Sequence, residues 1–166
     1  MPGYRVVVAD DDDDVRAALC EVLDADARFR VVGAVATGAE LVDLVALTLP
    51  DVVLLDVRMP GGGERAARAL TAAPDPPVVV AVSASTDVAT VTALLRAGAQ
   101  GYLGKGGLGE TLADTVARCL EGQVVLAVPN GRAVLRAIAA TGCAGPDADA
   151  DPDGVAGAGT SGPPTS

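Results

Sequence analysis

A chain of 166 residues, half of them apolar and with a net charge of −10, has room for one domain of ordinary size with a sizeable core. Only three residues are aromatic and none is histidine, so Val, Leu and Ala must fill the core. Catalysis by Ser-His-Asp or Cys-His, histidine metal ligands and a phosphohistidine within this chain are excluded.

The acidity argues against a general nucleic-acid binder, and no uncharged apolar run approaches the roughly 18 residues of a membrane span. Three scattered cysteines give neither metal spacing nor an even disulfide set, which favours a reducing cytoplasm.

In chain order the pattern predicts alternating strands and helices. Arg5 to Ala9 is a short apolar run that ends in five consecutive acids, Asp10 to Asp14. Val15, Ala18, Leu19, Val22 and Leu23 follow at helical spacing, with Asp12 to Asp14 as a solvated start suited to the helix dipole. Phe29 to Val35 predicts a second strand. Thr37 and Glu40 have capping-box spacing ahead of a stripe of Leu41, Leu44 and Val45. Val52 to Leu55 is a continuous apolar run, as in a strand buried on both faces, and Asp56 stands at its carboxyl end. Glu64 to Ala72 predicts a short helix, and Pro77 to Val82 a fourth strand. Thr86 or Asp87 can cap a helix carrying Val88, Val91, Leu94 and Leu95, closed by Gly98. Gln100 to Leu103 predicts a short fifth strand, followed by a helix lined by Leu108, Leu112, Val116 and Leu120.

Strands without alternation, each followed by a helix, predict an α/β domain: a doubly wound, five-stranded parallel sheet covered on both faces. It spans residues 4–122. Residues 123–140 read as a linker, with Gln123 to Val128 a weak extra strand or linker and Arg132 to Ala140 a short amphipathic helix. Residues 141–166 are rich in Gly, Ala, Asp and Pro and read as a disordered tail, because they bury too little apolar area to offset their ordering entropy.

In a parallel sheet all carboxyl ends share one rim, where ligands of open α/β folds bind. That rim would collect Asp10 and Asp11 from the first strand, Asp56 from the third, Ser83 from the fourth and Lys105 after the fifth. Converging carboxylates repel, by on the order of 4 kcal/mol for two charges about 4 Å apart at an effective dielectric of about 20. A divalent cation relieves this, and an all-oxygen donor set favours Mg²⁺. Cation and ammonium together would receive a phosphoryl group, with Asp56 as nucleophile and Ser83 hydrogen-bonding a phosphoryl oxygen. Lys105 is the only lysine beside 11 arginines, at the one place where a compact ammonium suits better than a planar fork.

The segments VVVADD (6–11), PDVVLLDVRMPG (50–61), VVVAVSAS (78–85) and RAGAQGYLGK (96–105), in this order, resemble the receiver domain of two-component response regulators. The resemblance covers roughly Arg5 to Gly122, and its fifth-strand wording is most similar to the branch that usually carries a helix-turn-helix output. It implies the flavodoxin-like strand order 2-1-3-4-5. It also implies Mg²⁺ held by Asp10, Asp11, Asp56 and the backbone carbonyl of Arg58, with Asp56 as phosphoacceptor. Lys105 would pair with the phosphoryl group, and Ser83 and Tyr102 would form the switch.

The implied donor is a sensor histidine kinase or phosphotransfer protein. Nothing after residue 122 resembles an output domain: if the chain is complete, the expected readout is a protein contact on the face around the fourth helix, fifth strand and fifth helix, and otherwise the chain is the front part of a longer regulator. No membrane contact and no direct DNA contact by this chain are expected, and a homodimer is left open.

Two other readings use the same residues. A pseudo-receiver scaffold that never takes phosphate would show loss of an acid, of Asp56 or of Lys105, and none is lost. A phosphohydrolase with an aspartate nucleophile would want a second acid two residues later, where this chain has Arg58. Tyr102 can equally be ordinary packing, Gly61 to Gly63 a flexible loop beside the site, Cys20 and Cys119 core filler, and Cys143 a free tail thiol. The loop after Pro60 is shorter than is usual in the family, and Gly106 loosens the turn after Lys105.

Overall fold

In a computed structural model that describes residues 2–142, the apolar runs become the parallel strands of a single sheet. The elements alternate: β1 (Tyr4–Ala9), α1 (Asp13–Asp24), β2 (Phe29–Val35), α2 (Gly38–Thr48), β3 (Val52–Asp56), α3 (Gly63–Thr71), β4 (Val78–Ser83), α4 (Val88–Arg96), β5 (Gly101–Gly104), α5 (Leu108–Leu120), β6 (Val125–Ala127) and α6 (Gly131–Gly142). A single 3₁₀ turn, Lys105–Gly107, joins β5 to α5. The architecture is a flavodoxin-like α/β sandwich of three layers.

Period-two alternation divides each strand between two cores. Val7, Ala9, Val53, Leu55, Val79 and Ala81 face one way, against α2, α3, α4 and α6. Val6, Val8, Val52, Leu54, Val80 and Val82 face the other way, against α1 and α5. Burial on both faces explains why the strand sequences run apolar without a break. Helix starts follow local capping chemistry. Asp12 accepts from the Asp14 and Val15 amides, Thr37 from Glu40, and Asp87, rather than Thr86, from Thr90.

The expected five-stranded sheet has six strands, in the order β2-β1-β3-β4-β5-β6. Val125, Leu126 and Ala127 pair in parallel with Gly101, Tyr102 and Leu103, and the Val125 amide donates to the Gln100 carbonyl. This added strand satisfies backbone groups that would otherwise line an open edge at β5. Of the two readings of Gln123 to Val128, weak strand or linker, the strand is realised over Val125–Ala127, and pairing with β5 decides it. The helix expected at 132–140 continues through Gly142 and packs against α4. The face expected to present α4, β5 and α5 is therefore partly covered by the chain's own β6 and α6. The remainder of the predicted tail, 143–166, including Cys143, lies outside the described residues.

The glycines after Pro60 form a turn beside the site. Gly61 and Gly63 have φ of 68° and 67°, a left-handed conformation that L side chains rarely adopt. A Cβ on Gly62 would lie 2.8 Å from the Asp56 carbonyl oxygen. The segment is a tight turn that starts α3 at Gly63, one residue earlier than predicted.

Candidate functional site

Asp10 follows β1 and is fully buried. Its amide donates to the Val35 carbonyl, and its Oδ1 accepts from the Asp12 amide at 3.0 Å. Asp11 beside it is exposed, and Asp12 is spent on capping α1. Asp13 pairs with Arg16, in keeping with the reading of Asp12 to Asp14 as a helix start. Asp56 closes β3, opposite Val82 of β4, and is 3% exposed. Oxygens of Asp10, Asp11 and Asp56 all lie within 4.8 Å of one another.

Lys105 opens the 3₁₀ turn after β5 and reaches back into this cluster. Its Nζ stands 2.8 Å from Asp10 Oδ2 and 3.5 Å from Asp56 Oδ1. The Arg58 amide, in the turn after β3, donates to Asp56 Oδ1 at 3.3 Å. Burial pushes the Asp56 carboxyl above its ordinary value, and the Asp10 charge pushes the same way, while the Arg58 amide and Lys105 oppose both. For Lys105, burial disfavours the ammonium, but hydrogen bonding to Asp10 and the charges of Asp56 and Asp10 outweigh it, and the net shift is upward.

Ser83 ends β4, fully buried, and its Oγ accepts from the Ser85 amide at 3.1 Å. Tyr102 of β5 is also fully buried, and its hydroxyl donates to the Ser85 carbonyl at 2.6 Å. The topology thus gathers Asp10, Asp11, Asp56 and Lys105 into one pocket at the carboxyl rim. Ser83 and Tyr102 meet at the neighbouring β4–α4 loop.

Two residues were not singled out in the sequence. Arg16 of α1 donates from Nη1 to the Asp10 carbonyl at 2.8 Å, which holds the turn carrying Asp10 and Asp11. Asn130, before α6, donates to the Thr86 carbonyl at 2.7 Å. Nothing local distinguishes Arg16 from an exposed helical arginine. For Asn130 the only signal is a cap-type residue ahead of the stripe beginning at Arg132.

The profile of the response regulator receiver domain matches residues 6–117. The chain belongs to the response regulator receiver domain family. The receiver is 36% identical over 124 residues to the probable transcriptional regulatory protein NarL of Mycobacterium tuberculosis, covering 74% of this chain and 57% of that protein. It is 39% identical over 103 residues to protein-glutamate methylesterase/protein-glutamine glutaminase 4 of Myxococcus xanthus, covering 61% of this chain and 29% of that protein. Among solved structures, the signal receiver domain of NarL from Mycobacterium tuberculosis aligns with a TM-score of 0.71 and 35% identity, covering 74% of this chain and all of that one. The receiver chain therefore spans little more than half of one of these curated relatives and less than a third of the other.

The three carboxylates form the receiver's acidic pocket, and their chemistry fits Mg²⁺. The donors are all oxygen, one is fully buried, and Asp10 Oδ2 accepts no hydrogen bond of good geometry, with only the Lys105 ammonium beside it. One ammonium does not balance three converging carboxylates, and a divalent cation would supply the remaining positive charge. Among the described residues, no helix is long and apolar enough to cross a membrane.

Proposed function

We propose that this receiver is the phosphoacceptor of a two-component phosphorelay, taking a phosphoryl group on Asp56 from a phosphohistidine of a sensor histidine kinase or phosphotransfer protein. The observation that carries this reading is the convergence of Asp10, Asp11 and Asp56 within 4.8 Å, with the chain's only lysine reaching in beside them. A carboxylate oxygen of Asp56 attacks phosphorus, the P–N bond breaks, and the imidazole leaves with the electron pair, giving an acyl phosphate on this chain. Asp56 suits the role because Arg58 and Lys105 approach its Oδ1, which orients the carboxylate and leaves Oδ2 for attack.

Asp10, Asp11, Asp56 and the backbone carbonyl of Arg58 would hold Mg²⁺, which when bound offsets the charge of the carboxylates and of the incoming phosphoryl oxygens. Lys105 supplies a fixed positive charge to those oxygens, and the Ser83 hydroxyl donates to one of them. Movement of Ser83 and of Tyr102 carries the change to the β4–α4 loop, where the added charge of about −1.5 to −2 is read by an output protein. The chemistry of the chain itself extends only to transfer onto Asp56 and self-catalysed loss from it. The setting is the cytoplasm, where Mg²⁺ and a kinase are at hand.

The test is incubation with Mg²⁺ and a small acyl phosphate, followed by mass spectrometry. Wild type gains one phosphoryl increment and Asp56→Asn gains none. An unmodified wild type under several donors would instead favour a scaffold that never takes phosphate.

A further inference from the structure

The end of β4 and the loop that follows it, Ser83 to Thr86, are tied down by three separate contacts. Ser83 Oγ accepts the Ser85 amide, the Ser85 carbonyl accepts the Tyr102 hydroxyl, and the Thr86 carbonyl accepts Asn130 Nδ2 at 2.7 Å. The first two lie within the stretch matched to the family, whereas Asn130 lies 13 residues beyond its end at 117. Asn130 belongs to the turn between β6 and α6, and its own carbonyl accepts the Ala133 and Val134 amides that start the helix. The same helix is packed on α4 by buried Val134, and its far end meets α4 where Arg96 donates to Thr141. One side chain therefore joins the loop of Ser83 to an element outside the matched domain.

The contact is built to give way. Asn130 Oδ1 is buried and has no hydrogen-bond partner, so opening the tether hydrates an oxygen that the closed state leaves unsatisfied. A shift of Ser83 toward a phosphorylated Asp56 draws on the Ala84–Ser85–Thr86 backbone, and Thr86 carries the acceptor on which Asn130 depends.

We infer that Asn130 is a positioning residue that ties the β4–α4 loop to β6–α6, and that β6–α6 is released or re-seated when Asp56 is phosphorylated. The covering of the α4–β5 face by β6 and α6 is then conditional, and the phosphorylation signal leaves the receiver through α6. Linkage requires the converse: if phosphorylation weakens the tether, loss of the tether must favour the phosphorylated arrangement. This inference rests on the phosphoacceptor reading of Asp56.

The experiment compares wild type, Asn130→Ala and Asn130→Ser, the last retaining a residue able to cap α6 but too short to reach Thr86. Beryllofluoride with Mg²⁺ serves as the phosphoryl mimic, and acyl phosphate treatment read by mass reports phosphorylation itself. Both variants bind beryllofluoride about threefold more tightly than wild type, the scale of one released hydrogen bond. In wild type the mimic speeds amide exchange in α6 and leaves α5 unchanged, while in both variants α6 already exchanges fast and no longer responds.

Wild type that takes up phosphate with α6 exchange unaltered, or variants whose beryllofluoride affinity equals that of wild type, would overturn the inference and leave the phosphoacceptor reading standing. An effect in Asn130→Ala that Asn130→Ser lacks assigns the residue to starting the helix and also overturns it. Absence of any phosphoryl increment in wild type removes the phosphoacceptor reading, and the inference with it.

Discussion

Lys105 places its ammonium closer to Asp10 than to Asp56, 2.8 Å from Asp10 Oδ2 against 3.5 Å from Asp56 Oδ1. The chain's only lysine thus neutralises the buried floor of the pocket and leaves the more reachable acid less tightly paired. Lys105→Ala leaves Asp10 buried and uncompensated, so in chelator the variant is less stable by about 3 kcal/mol, the low end for a broken buried pair because Lys105 is itself partly exposed. With a competing cation gone it binds Mg²⁺ more tightly, yet phosphoryl uptake falls by on the order of 100-fold because a preorganised charge is missing. Chemical denaturation, Mg²⁺ titration and the rate of mass increment check the three parts. Uptake at the wild-type rate would remove Lys105 from the transfer.

Burial raises the Asp56 carboxyl above its ordinary 3.8 in the folded protein. The stabilisation from such a raised acid is complete below 3.8 and is lost as pH rises through the folded value. In chelator, wild type therefore loses stability relative to Asp56→Asn across that window, and the Mg²⁺-induced rise in melting temperature grows over the same range. Two acids away from the site, half-buried Asp26 and exposed Asp87, act with the opposite sign and lower on the scale. Hydrogen bonds from Arg28 to Asp26, and from Ser85 and Thr90 to Asp87, hold these carboxyls at about 2. Their contribution is present above 3.8 and is lost as pH falls through about 2. Lys105, raised above 10.5, contributes fully below that value and loses its contribution only as pH climbs through its folded one. Thermal melts of both proteins from about pH 4 to pH 8, with and without Mg²⁺, isolate the Asp56 window. A Mg²⁺ effect independent of pH would contradict ligation by Asp56.

Gly38 begins α2 against the turn that follows Asp56. Its amide donates to the Pro60 carbonyl at 2.8 Å, and a Cβ there would fall 1.8 Å from the Gly61 carbonyl oxygen. Gly38→Ala must displace that backbone, so we expect a loss of about 1–3 kcal/mol and slower phosphoryl uptake. Gly106→Ala, where an added Cβ meets nothing within 4 Å, should stay within about 0.5 kcal/mol of wild type. Denaturation curves for the pair decide the point.

Tyr102→Phe removes the donor to the Ser85 carbonyl and keeps the buried ring. The expected cost is about 1 kcal/mol, with faster amide exchange at Ser85 and Thr86 and unchanged Mg²⁺ affinity. Unchanged exchange in that loop would reduce Tyr102 to ordinary packing.

The alternation of strands and helices, the acids at the first and third strand ends and the solitary Lys105 were all legible in the sequence. Each rests on a local signal: an unbroken apolar run, a cap, or a charge beside a strand end. From these, and the resemblance they support, came the family and the α/β class. Only the tertiary structure decided that the weak signal at Gln123 to Val128 is a sixth strand rather than a linker, that α6 lies on α4, and that Asn130 and Arg16 each hold a backbone carbonyl next to the pocket. A three-residue strand has no periodicity to read, and a contact such as Asn130 to Thr86, 44 residues apart, exists only once the chain has closed on itself. The sequence by itself determined which residues stand at the rim of the sheet. Packing at the far edge of that sheet decided which face of the receiver is covered, and by what.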